Sequence, residues 1–206
     1  MYSRVVKRLF DLVLGIVALP FVALQLVIVA PLIKREDGGT VFYNALRVGR
    51  DGRPFVMYKY RSMRMNAPDL KMEDGSTYND ADDPRLTRVG AFLRRTSLDE
   101  LPQVLNILAG QMSFIGPRPD LAEEVALYEP GEERKLEVRP GISGYAQVYG
   151  RNAIPWHERL ALDVYYVEHL SFGLDVRIFF KTFGTVFSQK GVYVEADEDA
   201  EGEKKQ

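Results

Sequence analysis

Residues 12–32 form one run without a charged side chain, interrupted only by the polar Gln25. Its length, about 21 residues, is what a helix needs to cross the hydrocarbon core of a bilayer. Pro20 sits in the middle of the run, where proline deletes a backbone hydrogen bond and kinks a helix. Arg4, Lys7 and Arg8 precede the run and Lys34 and Arg35 follow it. Basic residues near a membrane segment favour the cytoplasmic side, so both ends prefer the same side. A helix that enters, bends at Pro20 and returns satisfies both. A single-pass anchor with weak orientation stays open beside it. Asp11, at the edge of the run, is expected to pair with Arg8 or Lys7, because a lone charge deeper in is costly. The run is too long for a signal peptide, and no small-residue cleavage site follows it.

The rest of the chain alternates short elements. Segments 40–43 and 54–60 are rich in β-formers around Gly49 and Asp51-Gly52, which predicts a hairpin. Residues 88–95 predict a short basic helix. Leu101, Val104, Leu105 and Leu108 fall on one helical face, ended by Gly110. Segments 121–128 and 132–138 predict helices divided by Pro130-Gly131, followed by a short strand at 145–149. Pro155 opens a helix at 156–170, in which Tyr165 and Tyr166 read as core. The segment 174–190 is helical with an aromatic-rich apolar set (Leu174, Ile178, Phe179, Phe183, Val186, Phe187). It suits a helix lying in a membrane interface, and equally a core-facing one. Residues 67–84 are polar and acidic, a loop able to act as a lid.

At 206 residues, with 46% hydrophobic and 27% charged side chains, the chain is folded. The net charge of −2 conceals a division, because residues 195–206 carry six acids against two lysines. That tail reads as solvated and disordered, and the body is slightly basic. The absence of cysteine excludes disulfides and thiolate metal sites. His157 and His169 suggest no metal pair. Between residues 34 and 64, eight Lys/Arg face three acids. Such a stretch attracts anionic headgroups or a phosphate ligand. It does not continue along the chain as nucleic-acid binding would require.

The candidate chemistry centres on Asp99-Glu100. Pro102 is best tolerated in a first turn, so both acids belong at or just before a helix N-terminus. Ser97-x-x-Glu100 also fits a capping box, which would make the acids structural. Arg118 stands between Pro117 and Pro119, a stiff setting suited to bidentate phosphate binding or to a structural ion pair. Arg139 before Pro140-Gly141 and Arg151 beside Gly150 repeat the device. Neither a Walker loop nor a dinucleotide fingerprint occurs. Arginines gather where phosphate charge must be neutralised, adjacent carboxylates there call for a divalent cation, and an aspartate can attack phosphorus. With a membrane helix, these parts point to phosphoryl transfer involving a lipid phosphate.

Tyr58-Lys59-Tyr60-Arg61-Ser62-Met63, Asp83-Pro84-Arg85, residues 93–103, residues 112–119, residues 139–144 and Gly150-Arg151-Asn152 together resemble the bacterial sugar transferase family, the small monotopic phosphoglycosyl transferases. The resemblance runs from Lys7 to about Val192. It implies transfer of a sugar-1-phosphate from a UDP-sugar to polyprenol (undecaprenyl) phosphate, releasing UMP by a ping-pong route. Asp99 would be the nucleophile that becomes a covalent phosphosugar, with Glu100 assisting in proton handling or in positioning Mg2+. Lys59, Arg94, Arg118, Arg139 and Arg151 would meet the phosphates. The family's membrane helix is re-entrant and breaks at Ser-Pro, for which this chain has Leu19-Pro20.

The expected fold is α+β and mostly helical: a re-entrant membrane helix kinked at Pro20 (1–35), a cytoplasmic catalytic domain with a small β-hairpin and interfacial helices (36–192), and the acidic tail (193–206). It would sit on the cytoplasmic face of a bacterial inner membrane among phospholipids, without nucleic acid. Whether it forms a homo-oligomer, and which sugar it carries, the residues leave open. The rival classes are a non-enzymatic membrane-anchored anion-binding scaffold and a lipid-diphosphate hydrolase.

Overall fold

The computed structural model describes residues 2–68, 70, 83–150 and 154–188, so most of the expected lid and the whole acidic tail lie outside the described residues. A five-residue π-helical turn, Tyr2–Val6, leads into helix α1, Lys7–Asp37. This helix runs unbroken through Pro20 and Pro31 and ends at Gly38, whose φ of 71° closes it in the left-handed conformation. It therefore extends two residues past the expected boundary at residue 35. Its 31 residues give a length of about 46 Å.

The buried positions of α1 are Lys7, Asp11, Gly15, Val22, Val29 and Ile33, a single stripe along the helix. The stripe lies against the rest of the protein from end to end. Lys7 Nζ pairs with Asp175 at 2.6 Å, and Arg8 donates to the carbonyls of Ile107 and Leu108. Asp11 is met by the Ser113 hydroxyl at 2.9 Å and the Phe114 amide at 3.0 Å, not by Arg8 or Lys7. Those two cations reach partners on other elements, which leaves Asp11 to accept from the strand below it. At the far end Val29 and Ile33 pack on Tyr60 and Leu93. Glu36 accepts from the first amides of the next helix, and Asp37 takes both arms of Arg61. The opposite face, including Leu9, Val13, Ile16, Phe21, Leu24 and Val27, is exposed. Only 17% of the most apolar stretch is buried, so α1 is not the core helix of a soluble protein.

The hairpin is present, with its second strand as expected and its first displaced from 40–43 toward the turn: β1 (Phe42–Val48) pairs antiparallel with β2 (Pro54–Tyr60), from Phe42↔Tyr60 to Val48↔Pro54. Helix α2 spans Arg88–Arg95, as its sequence pattern predicts. Its Gly90 permits contact with the strand exit, since a Cβ there would lie 1.8 Å from the Ser62 carbonyl oxygen. A 3-10 helix (Leu98–Gln103) then feeds the short α3 (Val104–Leu108). The tighter 3-10 turn shifts the phase of the apolar face. Pro102, Gln103, Asn106 and Ile107 are buried, while Leu105, expected inside, is 41% exposed.

A second pair of strands was not legible in the pattern: β3 (Ser113–Ile115) lies parallel to β4 (Gly141–Ser143). The backbones cross too closely for side chains, because a Cβ on Gly141 would stand 2.2 Å from the Gly116 nitrogen. Helix α4 (Ala122–Val125) and a 3-10 helix (Glu132–Glu137) are shorter than expected. Residues Tyr145–Tyr149 form helix α5, not a strand. Helical spacing stacks the Tyr145 and Tyr149 rings at 4.4 Å and buries Ala146 and Val148. Helices α6 (Trp156–Glu168) and α7 (Phe172–Ser188) close the core. Tyr166 is buried there and Tyr165 exposed. Helix α7 has a buried and an open side: Ile178 is fully buried, whereas Phe172, Phe180 and Phe183 are exposed. Phe172 stacks on Phe10 of α1 at 5.4 Å, so the exposed aromatics begin beside the apolar face of that helix.

Candidate active site

Asp99 and Glu100 occupy the first turn of the 3-10 helix, as Pro102 requires. Ser97, which precedes it, has φ 56° and ψ 16°, a left-handed conformation unusual for a residue other than glycine. Its side chain makes no capping bond, and the Glu100 carboxylate turns away from it. The capping box is therefore absent. The acids are aimed elsewhere.

They converge on Lys59. Its Nζ lies 2.8 Å from Asp99 Oδ2 and 3.2 Å from Glu100 Oε1. Lys59 reaches them from β2, and Asn106 fixes the distance between strand and helix. The fully buried Asn106 accepts from the Tyr58 amide at 2.9 Å and donates to the Val56 carbonyl at 2.7 Å. It thus takes the place of a third strand along the outer edge of β2. Arg118 Nη1 closes the group from the opposite side, 3.2 Å from Glu100 Oε1. Pro117 and Pro119, both buried, hold Arg118 while leaving half of its side chain exposed.

The electrostatics divide the two acids. Asp99 is 2% exposed, and burial pushes its carboxyl above the usual range against the pull of Lys59 and Arg94. Glu100 is also penalised by burial, but Lys59 and Arg118 overcome this and bring it down to about 2. One carboxylate is thus permanently charged and the other desolvated beside a cation. A poorly hydrated carboxylate is a competent nucleophile in its ionised form, the form that the paired Lys59 favours. The oxygens converging on Lys59 are also the hard donors that Mg2+ takes together with phosphate.

The remaining predicted residues are placed unequally. Arg94 is partly buried, with Nη1 3.8 Å from Asp83 Oδ2, and its charge is felt by Asp99. Asp83 is held in turn by Arg85, whose Nη2 lies 2.7 Å away. The Asp83-Pro84-Arg85 motif therefore sets a negative charge beside Arg94 without a hydrogen bond to its Nη1. Arg139 is turned away from the dyad: its Nε donates to the Gly110 carbonyl at 2.8 Å, close to Arg8 and Arg50. Arg151 lies outside the described residues. Sequence reasoning missed Asn106, whose importance depends on contacts far along the chain, and Arg47. The Arg47 guanidinium stands near Arg118, and its Nε is buried without a hydrogen-bond partner. Among the described residues, Glu129, Glu132 and His157 form a further group at the surface, with ligand atoms within 4.8 Å of one another.

Residues 2–189 match a family model described as bacterial sugar transferase. An uncharacterised sugar transferase of Bacillus subtilis, EpsL, is 39% identical over 188 residues, covering 91% of this chain and 90% of that protein. Exopolysaccharide production protein ExoY of Rhizobium meliloti is 40% identical over 199 residues, 91% of this chain and 88% of the relative. Undecaprenyl-phosphate galactose phosphotransferase of Salmonella typhimurium is 39% identical over 202 residues, 93% of this chain. The chain spans only 42% of that longer relative.

Proposed function

The chain belongs to the bacterial sugar transferase family, and from that premise we propose that it transfers a sugar-1-phosphate from a UDP-sugar to polyprenol phosphate. The observation that carries the reading is the buried Asp99 held 2.8 Å from Lys59, with the half-exposed Arg118 3.2 Å from the adjoining Glu100. A relative named as an undecaprenyl-phosphate phosphotransferase supports the same substrate classes.

In the first half-reaction an Asp99 carboxylate oxygen bonds to the sugar-bearing phosphorus. The bond from that phosphorus to the bridging oxygen breaks, and the electron pair leaves with UMP. In the second, an oxygen of polyprenol phosphate bonds to the same phosphorus and the Asp99–phosphorus bond breaks, regenerating the carboxylate. Lys59, Arg94 and Arg118 neutralise the equatorial oxygens, which is the main demand of phosphoryl transfer. Glu100 remains anionic and holds Lys59 and Arg118 in place beside the reacting phosphate. Asp99 and Glu100 would hold Mg2+, which when bound supplies further positive charge to the diphosphate.

The exposed apolar face of α1 supports a location of this chemistry at a lipid surface. Both ends of α1 and its middle are tied to the same domain, through Lys7–Asp175, Gln25–Leu98 and Asp37–Arg61. A span with its ends on opposite sides of a bilayer about 30 Å thick would carry that domain into the hydrocarbon. This favours embedding from one side, the cytoplasmic face of the inner membrane, with the exposed apolar face of α1 in lipid. The test is UMP release by the purified protein with Mg2+, polyprenol phosphate and a panel of UDP-sugars. A scaffold releases none. A hydrolase releases free sugar phosphate without the lipid acceptor.

A further inference from the structure

Gln25 is the one polar side chain in the apolar run of α1, and it is directed at the peptide that carries the nucleophile. Its Nε2 donates to the carbonyl oxygen of Leu98, the residue before Asp99, at 2.9 Å. Its Oε1 is buried without a hydrogen-bond partner, so the amide is kept in an apolar setting at a cost.

The chemistry of the turn explains what a second donor adds. The 3-10 turn pairs the Leu98 carbonyl with the amide of residue 101, and the α-helical alternative, in which it would accept from residue 102, is closed. Residue 102 is Pro102, which has no N–H. The left-handed Ser97 directs the chain into this turn, a conformation that persists only where its surroundings enforce it. Helix α1 supplies such surroundings twice at residue 98. The Leu98 side chain packs against the cluster of Val29, Ile33, Tyr60 and Leu93, and its carbonyl is taken by Gln25.

We propose that Gln25 is a positioning residue for Asp99: the membrane helix adds a second donor to the Leu98 carbonyl in a turn that Pro102 bars from becoming α-helical, and thereby fixes the orientation of the nucleophile's peptide. The seating of α1 is in this way transmitted directly to the reacting carboxylate. The proposal rests on the transferase reading only for its kinetic readout.

The experiment uses the full-length protein in lipid nanodiscs, as wild type, Gln25→Leu, Pro102→Ala and Gln25→Leu/Pro102→Ala. Leucine keeps the size and apolarity of the site and removes only the donor. Initial rates of UMP release and hydrogen exchange of amides 99–101 are measured together with the thermal midpoint. Gln25→Leu should lower kcat by about tenfold to a hundredfold, as a misplaced reacting group does, with KM for the UDP-sugar within about twofold. Exchange at 99–101 should quicken while the thermal midpoint is kept. Adding Pro102→Ala, which restores a backbone N–H within reach of the Leu98 carbonyl, should recover much of the lost rate. The proposal is overturned by a kcat within about twofold of wild type and unchanged exchange, or by a matched loss of rate and thermal midpoint that Pro102→Ala does not relieve. If the wild type releases no UMP from any UDP-sugar, the transferase reading fails, and the exchange comparison alone decides the role of Gln25.

Discussion

Lys59 Nζ stands 2.8 Å from Asp99 Oδ2, an ammonium and a carboxylate paired where water is nearly excluded. Burial raises the proton affinity of Asp99 and Lys59 opposes it, so the nucleophile is weakly solvated and its charged form depends on the paired ammonium. Removing the cation should leave burial unopposed. Lys59→Met is expected to raise the Asp99 pKa further and move the acid limb of the kcat/KM profile to higher pH. Because the ionised form reacts, the variant should lose activity as pH falls at values where the wild type is still active. An unmoved acid limb would dissociate Lys59 from the reacting group.

Asp99→Asn should abolish turnover and yet stabilise the fold. A carboxyl whose folded pKa lies above its unfolded value prefers the protonated form, so its stability contribution is lost as pH rises through the interval between the two. Removing the charge should raise the thermal midpoint at neutral pH by about 2–4 °C per kcal/mol relieved. The gain should vanish at pH values below the ordinary carboxylate range, where Asp99 is protonated in both states. Calorimetry at two pH values checks both signs.

Arg118, half exposed at the mouth of the site, should act on binding. Arg118→Ala is expected to raise KM for the UDP-sugar by about tenfold to a hundredfold, the loss of a charge-assisted contact. Arg118→Lys should recover only part of this, because an ammonium lacks the planar fork. Steady-state kinetics with membrane binding measured in parallel separates this from a change in lipid affinity.

Asn106 holds β2 against the helix that follows the dyad. Asn106→Leu would leave the Tyr58 amide and Val56 carbonyl unpaired, at about 1–3 kcal/mol each. The thermal midpoint should fall by about 5–15 °C. Activity at a temperature where the variant is folded should fall as well, since Lys59 directly follows Tyr58 on the strand that Asn106 holds. A stable variant with wild-type kinetics would show that the strand is held by other means.

The hydrophobic pattern gave away α1, α2, α6, α7 and the hairpin, because each is a continuous run with a clear period or a turn signal. It failed where a residue's environment is non-local. Tyr145–Tyr149 is rich in β-formers and becomes a helix because burial of Ala146 and Val148 decides it. Leu105 reads as core from its spacing and is exposed because the 3-10 turn before it shifts the phase. In the site, Asp99, Glu100, Lys59 and Arg118 are brought together as their motifs imply. The position of Arg139 at the Gly110 carbonyl, and the part played by Asn106, depend on contacts that no local pattern encodes.

The one-sided seating of α1 is testable because the chain has no cysteine of its own. Single cysteines introduced at Val5 and Thr40 should both react with an impermeant maleimide in inside-out vesicles and neither in intact cells. Reaction of either from outside would make the helix a span.

The central claim is a phosphosugar on the carboxylate of Asp99, and intact mass spectrometry measures it most directly. Incubated with its UDP-sugar and Mg2+ but without polyprenol phosphate, the wild-type protein should gain the mass of one sugar phosphate, located at Asp99 by fragmentation and discharged when the lipid acceptor is added. Stoichiometric release of UMP with no adduct at that residue would contradict the account.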